Sequence, residues 1–154
     1  MRRVLLLCIA MSGLAIAATP DESAAIATVQ RLFDAMEAHN AEAARTVFIS
    51  GGATLTAVRA NGDVSNSTSE QFVGHVASAK EAWLERMWDP KVMIRENLAI
   101  VWAEYDFHLN SQFHHCGVDS VTLVKAAGEW KISGIAYTME TSGCAPSPLG
   151  PPKK

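Results

Sequence analysis

Cysteine is scarce in this chain: Cys8, Cys116 and Cys144 are the three in 154 residues. That number excludes a disulfide-dense scaffold and the paired-cysteine patterns of structural zinc sites. Positive charge is also in short supply. Thirteen Lys and Arg face sixteen Asp and Glu, a formal charge of −3. A nucleic-acid partner normally needs a basic footprint, and an anionic lipid surface needs the same. The chain lacks a nucleophile elbow, a phosphate loop, a CxxC pair and an HExxH helix. No internal repeat is visible. What remains is ordinary globular material, 49% apolar and 19% charged, enough for one domain with one sizeable core.

The N-terminus reads as a targeting segment. Met1-Arg2-Arg3 is a short basic start, Val4–Ile16 is a small and apolar run, and Ala15-Ile16-Ala17-Ala18 supplies an A-x-A cleavage pattern. This is the layout of a secretory signal peptide over residues 1–18. The run is shorter than the ~20 residues that span a bilayer, so no stable membrane anchor is expected after cleavage. Three leucines precede Cys8, so the small residue expected before a lipidated cysteine is missing. Cleavage removes Cys8 and two arginines, which moves the formal charge from −3 to −5. It leaves Cys116 and Cys144 as an even pair in a periplasmic or secreted protein, where disulfides persist. At the other end, residues 145–154 hold four prolines and no periodicity. This tail is expected to be disordered, or extended with no fixed partner. The domain is therefore expected over 20–144.

Inside it the hydrophobic period changes once. Asp21–His39 is amphipathic at helical spacing, with Ile26, Val29, Leu32, Phe33 and Met36 on one face and Asp21 or Ser23 as its cap. Ala41–Phe48 is a second short helix. Ala53–Ala60 is a strand ending in the Asn61-Gly62 turn dipeptide. A capping-box start at Ser67–Gln71 opens a third helix to Ser78. Five β-like runs follow: 82–88, 91–96, 98–109, 113–125 and 130–140. The order predicts an α+β fold with a curved antiparallel sheet wrapped around the N-terminal helices, and a cone-shaped interior.

The segment Phe113-His-His-Cys-Gly-Val-Asp119 concentrates the chemistry. If Lys125 pairs with Trp130, Leu123 faces Ile132, Val121 faces Gly134 and Asp119 faces Ala136. Alternation then points Phe113, His115 and Asp119 inward with Leu123 and Val121. His114, Cys116, Val118 and Ser120 point outward. His114 and His115 on opposite faces cannot share one ion, so no metal site is expected. Cys116 comes opposite Met139, and Cys144 can curl back to bridge it. On the preceding strand a two-residue turn at Asn110-Ser111 puts Trp102, Glu104, Asp106 and His108 inside. A one-residue slip puts Val101, Ala103, Tyr105 and Phe107 inside, and this more apolar set is preferred.

The helix IATVQRLFDAMEAHNAEAARTVF, the segment AIVWAEYDFHLNSQFHHCGVDSVTLVKAAGEWKISGIAYT and its Gly128-Glu-Trp-Lys-Ile132 element together resemble the nuclear transport factor 2-like, or SnoaL-like, superfamily. The likeness covers about residues 22–144, nearest to secreted bacterial members. It implies a cone fold that hosts isomerases, dehydratases, cyclases and plain binding domains. The resemblance fails at one point. The steroid-isomerase branch carries a general-base carboxylate just after the second helix, and Ala53–Val58 has none. The expectation is an exported protein that binds a small, mostly apolar molecule, with Phe33, Met36, Trp83, Trp88, Trp102 and Phe113 as walls. If it catalyses, Asp119, His115 and the donor Tyr105 are the acid/base candidates, without metal or cofactor. The competing expectation is a homodimerisation or interaction module using His114, Val118, Ile135 and Tyr137 on the convex face.

Overall fold

The structure is a computed structural model, and it describes residues 18–152. The signal peptide expected over 1–18 lies almost wholly outside the described residues.

Three helices, α1 (Pro20–Glu37), α2 (Ala41–Val47) and α3 (Ser69–Ser78), accompany six strands. The strands are β1 (Thr54–Arg59), β2 (Val64–Thr68), β3 (Trp83–Arg95), β4 (Leu98–Leu109), β5 (Gln112–Ala126) and β6 (Glu129–Met139). They form one sheet in the order β2-β1-β6-β5-β4-β3. β3 to β6 are an antiparallel meander, and β1 joins parallel to β6. The fold is the expected α+β class.

Local chemistry explains the boundaries. The cap of α1 is Thr19, rather than Asp21 or Ser23: its hydroxyl accepts from Glu22 N, and Glu22 Oε2 accepts from Thr19 N at 2.6 Å. Pro20 at the first helical position needs no donor partner. α3 starts with the same reciprocal box between Thr68 and Gln71. Gly62, at φ +89°, makes the β1–β2 turn, where a Cβ would be strained. α1 lays Ala25, Val29, Leu32, Phe33 and Met36 against the sheet, and all are buried. Each large apolar side chain so buried contributes about 1.5–3 kcal/mol. At the narrow end of the cone, Lys125 Nζ donates to Asp21 Oδ1 at 2.6 Å and ties β5 to the start of α1.

Three irregularities shape the wide end. The runs expected as separate strands over 82–88 and 91–96 are one strand, β3, broken in register between Trp88 and Lys91. Asp89 there has φ +47°, and Pro90 has no N–H to offer the ladder. On β5, Leu109 pairs with Gln112 and His108 with Phe113, but Phe107 pairs with His115. His114 is therefore an extra residue, a bulge. On β6 the expected register holds from Lys125↔Trp130 to Leu123↔Ile132. It then slips by one, so that Val121 faces Ile135 and Asp119 faces Tyr137. A bulge adds one unpaired residue and reverses parity beyond it.

The tail also has a place. Cys116 and Cys144 form a disulfide, with Cα atoms 6.1 Å apart. Residues 145–152 run on from it over the outer sheet face, where Gly150 O accepts from Arg86 Nη1 at 2.9 Å. A tail with no fixed partner was the expectation; the disulfide and Arg86 supply one.

Candidate functional site

A cavity of about 280 Å³ opens at the wide end of the cone, between α1, α3 and the concave face of the sheet. α1 contributes Val29, Leu32, Phe33 and Met36, which follow from its helical stripe. β3, β4 and β5 bring Trp83, Glu85, Tyr105, Phe107, His115 and Asp119. Of the expected site residues, Phe33, Met36, Trp83, Tyr105, His115 and Asp119 meet around this space.

Asp119 is 4% exposed, and Glu85 beside it is partly buried. The two carboxyl groups lie within reach of each other, so a hydrogen bond between them requires that one carry a proton. Burial pushes Asp119 up to about 7. Burial together with the charge and hydrogen bond of Asp119 drives Glu85 well above the usual carboxylate range. No N–H or O–H of the described residues donates to Asp119 Oδ2. Two like groups in one apolar site share protons rather than both ionise.

Tyr105 is also fully buried, but its hydroxyl donates to Thr138 O at 2.6 Å. Its strand partner is Gly117, where a Cβ would lie 2.2 Å from Thr138 O. The missing side chain at Gly117 lets the tyrosine reach across β5 to β6. Tyr105 thus spends its proton on the fold, where a donor to a ligand was expected. Burial, then the neighbouring carboxylates, push its ionisation far up. His115 is held down at about 4, by burial and by the charge of His114. The Nδ1 atoms of the two rings are 2.7 Å apart, so one ring donates and the other accepts.

This last contact corrects the expectation that His114 and His115 are kept apart on opposite faces. The His114 bulge turns its ring to the cavity rim, edge-on to Phe107. Among the described residues no cluster of three or more metal-ligating side chains is found. The same bulge rotates Phe113 onto the outer face, where it is 48% exposed and packs edge-on against His108. Phe113 is no cavity wall. Trp102 is 49% exposed, because the preferred set Val101, Ala103, Tyr105 and Phe107 faces inward. Trp88 alternates with Met87 to the outer side, just before the β3 break, and does not line the cavity. Ile135 and Tyr137, expected on the convex face, line the cavity because of the slip on β6.

Residues 20–138 match the model of the family described as "Putative lumazine-binding". The chain belongs to that family. Its architecture is that of the nuclear transport factor 2-like superfamily, as solved structures with similar folds show. A nuclear transport factor 2-like protein of unknown function from Shewanella baltica superposes with TM-score 0.61 at 15% identity, over 82% of this chain and all of that one. A protein with a cystatin-like fold from Nostoc punctiforme gives 0.63 at 12% identity, over 87% and 99%. A nuclear transport factor 2-like protein from Novosphingobium aromaticivorans gives 0.64 at 10%, over 81% and 84%. No curated protein matches the sequence. Within this cone, sequence reasoning missed Glu85 and His75 as lining residues and placed His114 on the outer face. Glu85 had a signal: it sits two residues from Trp83 and so shares its face.

Proposed function

We propose that the protein is exported and binds a small, mostly apolar molecule in the cone cavity, with the Glu85–Asp119 pair as its polar anchor. The observation that carries this reading is the cavity itself. An apolar and aromatic lining surrounds one convergent pair of buried carboxyl groups, the usual make-up of a small-molecule site. The family description points the same way. Where the bound molecule reacts, the pair is the group placed to give or take one proton, with His115 kept neutral beside it. Export rests on the N-terminal segment and on the Cys116–Cys144 disulfide.

A thermal-shift screen of neutral aromatic and aliphatic fragments tests the cavity. Hits should raise the melting temperature of the wild type by mass action. They should lose that effect in Met36→Trp, which fills the space from α1. Equal shifts in both proteins would place binding elsewhere and refute the reading.

A second reading, homodimerisation, draws on Met93, Leu98 and Trp102, which lie exposed together on the outer face of β3 and β4. The surface named for it differs from the one expected, because Ile135 and Tyr137 face inward. Light scattering on Trp102→Glu tests it: the wild type should be a dimer and the variant a monomer.

A further inference from the structure

The cavity holds a buried carboxyl pair and no cation. Among the described residues, none that lines it is Lys or Arg. The nearest arginine in sequence, Arg86, alternates to the opposite face of β3 and is taken by Asp106. Several packed elements turn ionisable groups toward the pair. β4 offers Tyr105, whose proton goes to Thr138 O. β5 offers His115, held neutral, and His114 hydrogen-bonded to it. β6 offers Tyr137, whose ionisation is also driven upward by burial and by the two carboxylates. α3 offers His75 at the rim, while α1 and β1 contribute apolar side chains. None of these supplies a counter-charge in contact with Asp119.

A second, independent feature is aromatic. Phe33, Phe72, Trp83, Tyr105, Phe107 and Tyr137 all border the same space. Ring faces attract organic cations, and the attraction grows when the site is dry. Carboxylates without a protein cation, set among aromatic rings, are the two halves of an ammonium-binding site.

We propose that the molecule taken by this cavity carries a protonated nitrogen, an ammonium or amidinium group seated against Glu85 and Asp119, on an apolar or aromatic body held between the rings. This inference rests on the small-molecule reading of the cavity and adds the chemical class. The bound cation replaces the proton that the pair otherwise shares, and its N–H groups give Asp119 Oδ2 the donor that the described residues do not supply. A neutral carbonyl ligand would need the opposite, a pair that keeps its proton to donate.

Calorimetric titration with three probes of one shape decides between them: phenethylamine, 2-phenylethanol and phenylacetate, each at about pH 5.5 and pH 8. Phenethylamine should bind at least ~10-fold tighter than the alcohol at pH 8, with phenylacetate weakest. The preference should shrink at pH 5.5, where the pair is protonated and the amine is still a cation. It should fall several-fold in Glu85→Gln and Asp119→Asn. If the alcohol binds as well as the amine, the cation inference falls and the cavity reading stands. If the amine preference survives both substitutions, the cation sits elsewhere and the inference again falls. If none of the three binds, both readings fall. Should either variant fail to fold by circular dichroism, the wild-type ratio and its pH dependence remain decisive.

Discussion

Asp106 and Asp119 are equally hidden, 5% and 4% exposed, on adjacent strands of one sheet. They ionise in opposite directions. Burial works to raise Asp106, but hydrogen bonds from Arg86 and His108 outweigh it and hold the carboxyl below its ordinary range. Burial raises Asp119, and its partner is another carboxyl. The partners are consecutive residues of β3: Glu85 turns into the cavity and Arg86 turns out. One strand thus supplies an acid to one face and a base to the other by alternation alone. The outer pair is a closed structural clamp, covered by the tail. The inner pair is left uncompensated where a ligand can reach it. Burial raises both carboxyls; what separates them is that Arg86 and His108 outweigh it at Asp106, while no cation does so at Asp119.

The largest break in this contrast should come from Arg86→Met. The guanidinium contacts both oxygens of Asp106 and the carbonyl of Gly150. Without it, the side-chain partner left to the buried Asp106 carboxylate among the described residues is the His108 ring, at 3.4 Å. We expect a loss of about 3–5 kcal/mol in urea unfolding, the range for halving a buried ion pair. A loss well under ~1 kcal/mol would mean that the tail lifts and water replaces the arginine, so that the clamp is not closed. Next in size, Cys116→Ser with Cys144→Ser should cost about 2–4 kcal/mol by the same measurement. It should also raise amide exchange in the tail, because the disulfide is the covalent anchor of the segment that covers Asp106.

How far these two faces could be read from the sequence depended on the distance from a bulge. Near the Ala127-Gly128 turn the alternation is unbroken, so the burial of Val121, Leu123, Trp130 and Ile132 followed from pattern alone. The helical stripe of α1 and the burial of Asp119 were legible for the same reason: each needs parity along one uninterrupted stretch. The Cys116–Cys144 bridge was legible although Cys116 pairs with Glu140 rather than Met139, because the five-residue reach to Cys144 tolerates a slip of one. Assignments that carried the alternation past an inserted residue failed. The extra residue His114 sent Phe113 outward, and the slip after Ile132 sent Ile135 and Tyr137 inward. The Asn110-Ser111 turn has the two-residue form, yet the inner set is that of the slipped register, because the His114 bulge makes up the difference. Glu85 was invisible as a partner of Asp119 for a different reason. They lie on strands separated by β4, and no local pattern reports which long-range pairs meet.

The smallest effect separates the inner pair from the outer one by pH. A carboxyl of the unfolded chain titrates near 3.8, and Asp119 in the folded protein near 7. Between those values the folded state binds a proton that the unfolded state does not, so this group's contribution to stability falls as pH rises. His115 runs the other way. Its unfolded value is 6.5 and its folded value about 4, so its contribution is present above 6.5 and is lost as pH falls toward 4. The two oppose each other from about pH 4 to 6.5, and above that the carboxyl pair acts without the histidine. Wild-type stability should therefore decline between about pH 6.5 and 8, while Asp119→Asn stays flat there. In that variant the amide N–H replaces the shared proton toward Glu85. It should be more stable than the wild type at pH 8 by on the order of 1–2 kcal/mol, since one unit of displacement is worth about 1.4 kcal/mol. His115→Gln should instead remove the acid-side loss and leave the decline above pH 6.5 in place. A wild-type profile that rises from pH 6.5 to 8, or an Asp119→Asn profile that keeps the decline, would show that the inner pair is compensated after all, and the contrast between the two aspartates would collapse.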